Sequence, residues 1–290
     1  MFIIKYKAFF IGLSIAFVIV AGALMNTYGI KRGIDFTGGS VIDIVYDKEV
    51  PTLSNDAFST SDKTLYKTGE TTYRFVSQKT YEEISPVISA LGNEGGKYPF
   101  QFTQVSTVGS TLGQEMTQKA IIALVVVALA ILSFIAFSFR AVSHPVPSWK
   151  YGVIAMVTLL HDIIVPTGVY VILSHKYGAE VDTLFVIALL TIIGISISDK
   201  IVVFDRIREN LKVSKGSFEE IVGKSLKQTF TRSINTSVTV VLALVALYMF
   251  GPVTTKYFTL TLMIGMVVGT YSSIFVASPL LTVWNKSKKS

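Results

Sequence analysis

Residues 181–212 read VDTLFVIALLTIIGISISDKIVVFDRIRENLK, and this stretch decides which kind of protein the chain forms. Its first part, residues 181–204, is an apolar run that exceeds the roughly 20 residues a helix needs to cross about 30 Å of hydrocarbon. A segment with several basic residues follows directly. The stretch therefore predicts a membrane-spanning helix that ends at a positively charged membrane surface.

Similar apolar runs occur elsewhere in the chain. They lie near residues 8–25, 120–139, 151–174, 234–250 and 257–283. Across 290 residues, 51% of the side chains are hydrophobic and only 16% are charged, which is too apolar a composition for a soluble globule of this size. We therefore predict an α-helical membrane protein with six transmembrane helices.

The net charge of +7 is explained by membrane topology, and we expect no nucleic-acid partner. Basic residues precede the first span, occupy the second and fourth connections and follow the last span: Lys5, Lys7, Arg140, Lys150, Arg206, Arg208, Lys212, Lys215, Lys224, Lys227, Lys286, Lys288 and Lys289. The third and fifth connections offer only Lys176 and Lys256. Both termini are therefore predicted to be cytoplasmic, with the long segment after the first span facing outward.

The spacing of the apolar runs predicts three parts. Residues 1–25 form the first transmembrane helix, residues 26–118 form an extracytoplasmic domain, and residues 119–290 form a five-helix bundle. The first 25 residues also resemble a signal peptide, although their apolar run is longer than usual. The chain has no cysteine, which excludes disulfides and Cys-ligated metals, and we expect neither a metal nor a cofactor.

The extracytoplasmic segment has the pattern of a small α+β domain. Val41–Tyr46, Thr72–Val76 and Gln101–Ser106 are predicted strands, because their residues are alternating or β-branched. Thr80–Leu91 is a predicted helix, and the polar residues 51–71 are predicted to form a loop or a ragged edge.

Two further patterns concern helix packing. An apolar face in the fourth connection predicts an amphipathic cytoplasmic linker helix near residues 217–231, started by a capping box of Ser217 and Glu220; the alternative is an ordinary surface linker. In the last span, small residues recur every fourth position, at Gly265, Gly269, Ser273 and Ala277. This seam favours close packing of another helix, either within the chain or from a partner.

His161 and Asp162 are ionisable residues deep in the predicted third span. Such groups cost about 2.5–3.5 kcal/mol each on insertion scales, so each needs a partner or a function. Pro166 removes the backbone hydrogen bond to the Asp162 carbonyl, so water or a proton carrier could sit there. The alternative is that both side chains bind neighbouring helices and fix their packing.

Asp199 in the fourth span and Arg232 at the start of the fifth form the second candidate site. An acid that gains and loses a proton as an arginine approaches and withdraws would couple helix movement to proton flow. The alternative is a static ion pair. Small or hydroxyl-bearing residues surround both charges, including Ser198, Asn235 and Thr236. Lys200 is expected to extend toward the inner interface.

Several of these segments resemble the SecF family, from the first span to the last. Residues 33–40, GIDFTGGS, resemble its GxDFTGG signature, represented by Gly33, Asp35, Phe36, Gly38 and Gly39. His161-Asp162 is similar to its HD motif, residues 199–210 (DKIVVFDRIREN) to D-T-I-V-V-F-D-R-I-R-E-N, and residues 232–237 (RSINTS) to R-x-x-N-T-S. Two residues depart from the pattern: Lys200 replaces a small polar residue, and Ser110 replaces a common proline.

The resemblance implies an auxiliary, non-enzymatic subunit of the bacterial Sec export machinery, with an RND-like fold, in the inner membrane. It implies that a SecD-like subunit, the SecYEG channel, a YidC-like insertase, unfolded exported polypeptide and membrane lipid are partners. It also implies that Asp199 and Arg232 take part in proton flow that promotes late steps of translocation.

Two other functions remain open at this point. An RND-type, proton-driven exporter of lipid or small molecules would share the layout, but about ninety outer residues are few to enclose a ligand. An intramembrane aspartyl protease would use Asp162 and Asp199 as a dyad that shares one proton. Its GxGD motif is not present before Asp199, where the sequence is ISIS.

Overall fold

The computed structural model describes residues 2–47, 63–67, 70–92, 100–138 and 146–286. The chain divides into two compact units. A helical unit comprises Met1–Gly29, Ala123–Ile172 and Leu184–Ser290. The second unit, which contains the sheet, comprises Ile30–Ile122 and Leu173–Thr183.

The helices account for most of the described chain. In order they are α1 (Phe2–Lys5), α2 (Lys7–Tyr28), α3 (Ile34–Thr37), α4 (Tyr81–Gly92), α5 (Ser110–Ser138), α6 (Ser148–Tyr177), α7 (Thr183–Val213), α8 (Phe218–Phe250), α9 (Lys256–Ser272) and α10 (Ser278–Lys286). A 3-10 turn, Val253–Thr255, precedes α9, and a π-helical turn, Ser273–Ala277, joins α9 to α10.

Among the described residues, six helical segments are long and apolar enough to cross a membrane, which confirms the predicted spans. They are α2, α5, α6, α7, α8 and the continuous run from Val253 to Trp284. The third, fourth and sixth of these spans are about half buried within the chain, whereas the first, second and fifth are mostly exposed. The latter three therefore offer most of the apolar surface available to lipid or to another subunit.

The predicted linker helix is the first half of α8, which continues without a break into the fifth span. The capping box is present: the Ser217 hydroxyl accepts from Glu220 N, and Ser217 N donates to the Glu220 carboxylate at 2.9 Å. Val222 and Leu226 from the predicted apolar face are fully buried against Phe204 and its neighbours. The face therefore belongs to the core of the helical unit rather than to an ordinary surface linker.

The second unit contains a four-stranded antiparallel sheet in the order β2-β3-β1-β4. The strands are β1 (Gly39–Tyr46), β2 (Lys63–Lys67), β3 (Thr72–Ser77) and β4 (Phe100–Val108). Alternate residues of β1 face one core, where Ile42, Ile44 and Tyr46 pack with Phe75 and Ile84. The predicted strands Val41–Tyr46, Thr72–Val76 and Gln101–Ser106 correspond to β1, β3 and β4, and the predicted helix Thr80–Leu91 corresponds to α4.

The segment 51–71, predicted as a loop or a ragged edge, contains β2, which is an edge strand of the sheet. Leu65 is buried in the sheet core, but the rest of KTLYK is polar, so β2 carries a weak hydrophobic signal. The strand forms because β3 offers backbone partners along its whole length. Residues 51–62, 68 and 69 of that predicted loop lie outside the described residues.

Candidate functional site

Asp199 receives hydrogen bonds from two other spans. Its Oδ1 accepts from the Ser233 hydroxyl of α8 at 2.5 Å, and its Oδ2 accepts from the Ser273 hydroxyl. Ser273 begins the π-helical turn of the last span, and such turns are frequent at functional sites. The Asp199 carboxylate is therefore a point where the fourth, fifth and sixth spans meet.

A cavity of about 370 Å³ lies beside Asp199, between α7, α8 and α9. Since a water molecule occupies about 30 Å³ of liquid, this volume accommodates several. Its walls combine apolar side chains and glycines with a polar group of residues: Ser196, Ser198, Asp199, Arg232, Thr236, Ser237 and Thr270. The cavity therefore has polar and ionisable groups in its wall in addition to apolar ones.

Arg232 lines the same cavity as Asp199 and is exposed. Within the described part of the chain, the two side chains form no ion pair. Serine hydroxyls bind the carboxylate instead, and Arg232 is one of the residues that line the adjacent cavity. A direct contact between Asp199 and Arg232 stays a prediction for another conformation.

The other hydroxyl and amide residues of this region are distributed unevenly. Ser198 and Thr236 line the cavity, while Asn235 is exposed on α8, where its carbonyl accepts a hydrogen bond from Thr239. The neighbouring hydroxyls of Ser237 and Thr270 are hydrogen-bonded to each other across α8 and α9. Ser233 and Ser273, the donors to Asp199, were not among the residues singled out for it from the sequence.

The small-residue seam of the last span packs within the chain, against α7. A Cβ added to Gly265 would meet Ile192, and one added to Gly269 would lie 3.1 Å from the Ser196 Cβ. One turn further, Ser273 reaches Asp199. The seam therefore brings the last span close enough for its serines to reach the polar residues of the fourth.

Asp162 forms a second polar site, whose centre is fully buried. Its Oδ2 accepts from the Lys200 ammonium at 2.5 Å, from the Ser196 hydroxyl at 2.5 Å and from the Ser272 hydroxyl at 2.8 Å. Its Oδ1 lies 2.9 Å from His161 Nδ1. The third, fourth and sixth spans meet at this carboxylate.

The expectation that Lys200 extends toward the inner interface is wrong. Both Lys200 and Asp162 have no exposed side-chain surface, and they form an ion pair. Lys200 lies one helical turn after Ser196, on the face of α7 that meets Asp162, so the lysine stem stays inside the bundle. Sequence spacing on α7 alone could not reveal this pairing, because the partner belongs to α6.

His161 is buried beside this ion pair. Its Nε2 has no hydrogen-bond partner in the described part of the structure. The helix α6 runs through Pro166 without ending. The contacts of His161 and Asp162 support the packing role that the sequence left open.

The residues of the GxDFTGG segment make close backbone contacts in the second unit. Gly38 and Gly39 have φ angles of 76° and 123°, which favour glycine. A Cβ on Gly38 would lie 2.6 Å from Ser110 Cα, and one on Gly39 would lie 2.2 Å from the Ser77 carbonyl. The two glycines let the chain pass between the start of α5 and the sheet.

The same segment also reaches the start of α7. Gly33 N donates to the Val181 carbonyl at 2.8 Å, and Val181 N donates to the Lys31 carbonyl at 2.9 Å. The Asp35 carboxylate accepts from Thr183 N at 2.8 Å. Phe36, the next residue in the chain, is buried. The motif therefore contacts the first residues of α7 and the residues just before it.

A shared-proton dyad is not supported by these contacts. Asp162 and Asp199 bind different side chains, and no hydrogen bond joins their carboxylates among the described residues. The described residues also contain no cluster of three His, Cys, Asp or Glu side chains able to hold a metal ion.

Comparison with known protein families gives two matches. Residues 88–287 match the family described as protein export membrane protein SecD/SecF, C-terminal. Residues 23–50 match the SecD/SecF GG motif. The two matches together extend from the end of the first span to the end of the last.

Curated relatives are similar over nearly their whole length. The chain is 42% identical to the protein translocase subunit SecF of Thermobaculum terrenum, covering 97% of this chain and 93% of the relative. It is 34% identical to the SecF subunit of Anaerolinea thermophila, covering 99% of this chain and 94% of the relative.

Among solved structures, the chain resembles SecDF, a translocon-associated membrane protein from Thermus thermophilus, with a TM-score of 0.84 and 27% identity. It also resembles SecDF in its super-membrane-facing form, with a TM-score of 0.72 and 28% identity. The alignments cover 98% and 99% of this chain but only 38% and 39% of the SecDF chains.

Proposed function

The chain belongs to the SecD/SecF protein-export family, and we propose that it acts with a SecD-like subunit as an auxiliary, non-enzymatic part of the Sec machinery. In this role, the proton motive force drives late steps of preprotein translocation across the plasma membrane. The relatives named SecF and the fit to part of a SecDF chain support this assignment.

The observation that carries the proposal is the Asp199 carboxylate, which lines a cavity and accepts hydrogen bonds from hydroxyls of two other elements, α8 and the last span. A proton that enters the cavity can bind this carboxylate. Neutralising it weakens its hydrogen bonds to Ser233 and Ser273, since charged acceptors bind more strongly than neutral ones. Protonation thereby loosens the junction of three spans.

Arg232 is the second charge of the cycle. Arg232 lines the same cavity as Asp199, and its guanidinium is a hydrogen-bond donor only. When the helices approach, the guanidinium attracts the ionised carboxylate and favours release of the proton. Alternation between serine-bound and arginine-bound Asp199 is the proposed coupling step. Ser198 and Thr236 support it by keeping the cavity polar, and Asn235 continues the polar face of α8.

The driving force is sufficient for a two-state movement. One elementary charge crossing 100 mV gains about 2.3 kcal/mol, so one or two protons can bias a conformational equilibrium by several kcal/mol. The GxDFTGG segment fixes the outer end of α7, the helix that carries Asp199. Movement of α7 would therefore displace the GxDFTGG segment, which also contacts the sheet.

The partners and location follow from the same proposal. The domain of residues 26–118 would contact unfolded polypeptide as it emerges, while residues 1–25 and 119–290 form the membrane part. SecYEG, a YidC-like insertase and surrounding lipid are the proposed neighbours. The protein would lie in the bacterial inner membrane with both termini cytoplasmic.

Proton flux in proteoliposomes tests the proposal. The full chain is reconstituted with its SecD-like subunit, and an internal pH-sensitive dye reports the response to a proton motive force. Asp199→Asn is expected to insert normally and to lose flux. Asp205→Asn is the matched control, because Asp205 is exposed on the same helix. Unchanged flux in Asp199→Asn at equal incorporation contradicts the coupling role.

A translocation assay tests the Sec role separately. Inverted membrane vesicles contain SecYEG, the SecD-like subunit and either the wild-type chain or a variant. The amount of preprotein protected from protease is measured with and without an ionophore. The wild type is expected to show an ionophore-sensitive increase that Asp199→Asn lacks. Export of lipid or small molecules by vesicles without SecYEG would instead favour an RND-type exporter.

A further inference from the structure

Lys200 is an ammonium group enclosed in the bundle, and its contacts resemble those of a bound cation. Its Nζ lies 2.5 Å from Asp162 Oδ2 and 2.5 Å from the Ser196 hydroxyl, and the side chain has no exposed surface. The Ser272 hydroxyl lies 2.8 Å from the same carboxylate oxygen. Two side-chain oxygens therefore contact the ammonium directly, and a third, from Ser272 of the last span, binds the same carboxylate oxygen.

Oxygen ligands of this type are also those that hard cations prefer. Carboxylate, hydroxyl and carbonyl oxygens bind such ions in proteins. The Gly269 carbonyl is part of the same group, because it accepts a hydrogen bond of 3.0 Å from Ser272. If the ammonium were removed, the remaining groups would form a small, fully buried, anionic oxygen site.

Two residues of this group, Ser196 and Gly269, border the cavity beside Asp199. Ser196 donates to Asp162 and also forms part of the wall of the Asp199 cavity. Gly269 lines that cavity and packs against Ser196. A small ion in the cavity is therefore separated from the Asp162 oxygen by one serine side chain.

We propose that the Lys200 ammonium is a tethered cation that fills a monovalent-cation site formed by Asp162, Ser196 and Ser272. Because the charge is covalently attached, the site is neutralised without a bound ion. The third, fourth and sixth spans are joined there independently of the salt outside. The site is distinct from Asp199, whose carboxylate is bound by Ser233 and Ser273.

The proposal differs from a simple ion pair in what it predicts for Lys200→Ala. A buried carboxylate without a counter-charge is strongly destabilising. If the oxygens form a cation site, a small free cation can replace the ammonium and restore stability. If they do not, no cation can compensate for the loss.

The test measures thermal unfolding of the purified full-length chain in detergent, in NaCl, LiCl, KCl or N-methyl-D-glucamine chloride at equal ionic strength. The wild type is expected to melt at the same temperature in all four salts. Lys200→Ala is expected to melt about 10 °C lower in N-methyl-D-glucamine chloride and to recover in at least one alkali salt, in a saturable manner.

Two controls separate the cation site from general salt effects. Lys200→Ala/Asp162→Asn removes both charges and is expected to melt at the same temperature in every salt. Lys212→Ala changes an exposed lysine of the same helix and is expected to behave like the wild type. Yield of monodisperse protein in each salt provides a second readout when Lys200→Ala folds poorly.

Three outcomes overturn the proposal. In the first, Lys200→Ala is equally unstable in all four salts while the double variant folds. In the second, Lys200→Ala is as stable as the wild type in N-methyl-D-glucamine chloride. In the third, the wild type or the double variant shows the same alkali-cation dependence as Lys200→Ala.

Discussion

The Asp35 carboxylate accepts a 2.8 Å hydrogen bond from the backbone N–H of Thr183, the first residue of α7. The two residues lie 148 positions apart in the chain. The first N–H groups of a helix have no partner within it, and a carboxylate there also interacts favourably with the helix dipole. Asp35 therefore acts as a distant cap for the helix that carries Asp199 and Lys200.

Asp35→Ala is expected to loosen the first turn of α7. Loss of a capping side chain costs about 1 kcal/mol. Hydrogen exchange of the Thr183 amide and its neighbours should accelerate severalfold, whereas Asp35→Asn should change it less because the amide oxygen can still accept. Asp47→Ala, at an exposed aspartate after β1, is the control. Equal exchange in Asp35→Ala and the wild type would contradict the capping role.

Gly39→Ala is expected to destabilise the second unit by at least about 2 kcal/mol. Gly39 has a φ of 123°, and an added Cβ would lie 2.2 Å from the Ser77 carbonyl, so β1 must move away from the end of β3. Gly109→Ala is the matched control, because no atom lies within 4 Å of the Cβ it adds. Limited proteolysis of the outer segment compares the two. Equal protection from the protease in both variants would contradict the expected loss of stability in Gly39→Ala.

Stability of the second unit is expected to fall as pH rises from about 5 to about 8. Burial raises the pKa of the Glu180 carboxyl to about 7, against the opposing charges of Arg74 and Lys31, while Asp182 raises it further. Since the folded state holds this proton more tightly than the unfolded state, the stabilisation is present below the usual carboxyl pKa. It is lost as pH passes through about 7.

Glu180→Gln is expected to remove this component of the pH dependence, because the amide stays neutral. Hydrogen exchange in β1 and β3 at several pH values, corrected for intrinsic rates, measures the effect. Glu70→Gln, at an exposed glutamate of the same unit, is the matched control. A pH profile of Glu180→Gln identical to that of the wild type would rule out Glu180 as its source.

The number and order of the membrane helices were predictable because each signal lies in a short stretch of sequence. An apolar run of sufficient length makes a span, and a serine followed by a glutamate three residues later starts α8. The spacing of the small residues Gly265, Gly269 and Ser273 likewise predicted a packing seam. Their partner was not predictable, because Ile192 and Ser196 belong to another helix.

The candidate sites were only partly predictable, because some of their residues stand out within a single segment and others do not. Asp162 and Asp199 stood out because a charge in an apolar run is costly wherever its partner lies. The serines that bind Asp199 carry no such cost and are common in membrane helices, so nothing in the sequence linked Ser233 or Ser273 to Asp199. β2 was missed because only Leu65 of its residues carries a clear core pattern.

The six spans, the alternating strand β1 and the costly charges within apolar runs could all be read from the amino-acid sequence. Which polar groups meet became known from the packing of the helices: Lys200 binds Asp162, and Asp199 binds two serines. The difference arises because period and composition are properties of one segment. An ion pair between α6 and α7, in contrast, depends on the rotation and depth at which two helices pack.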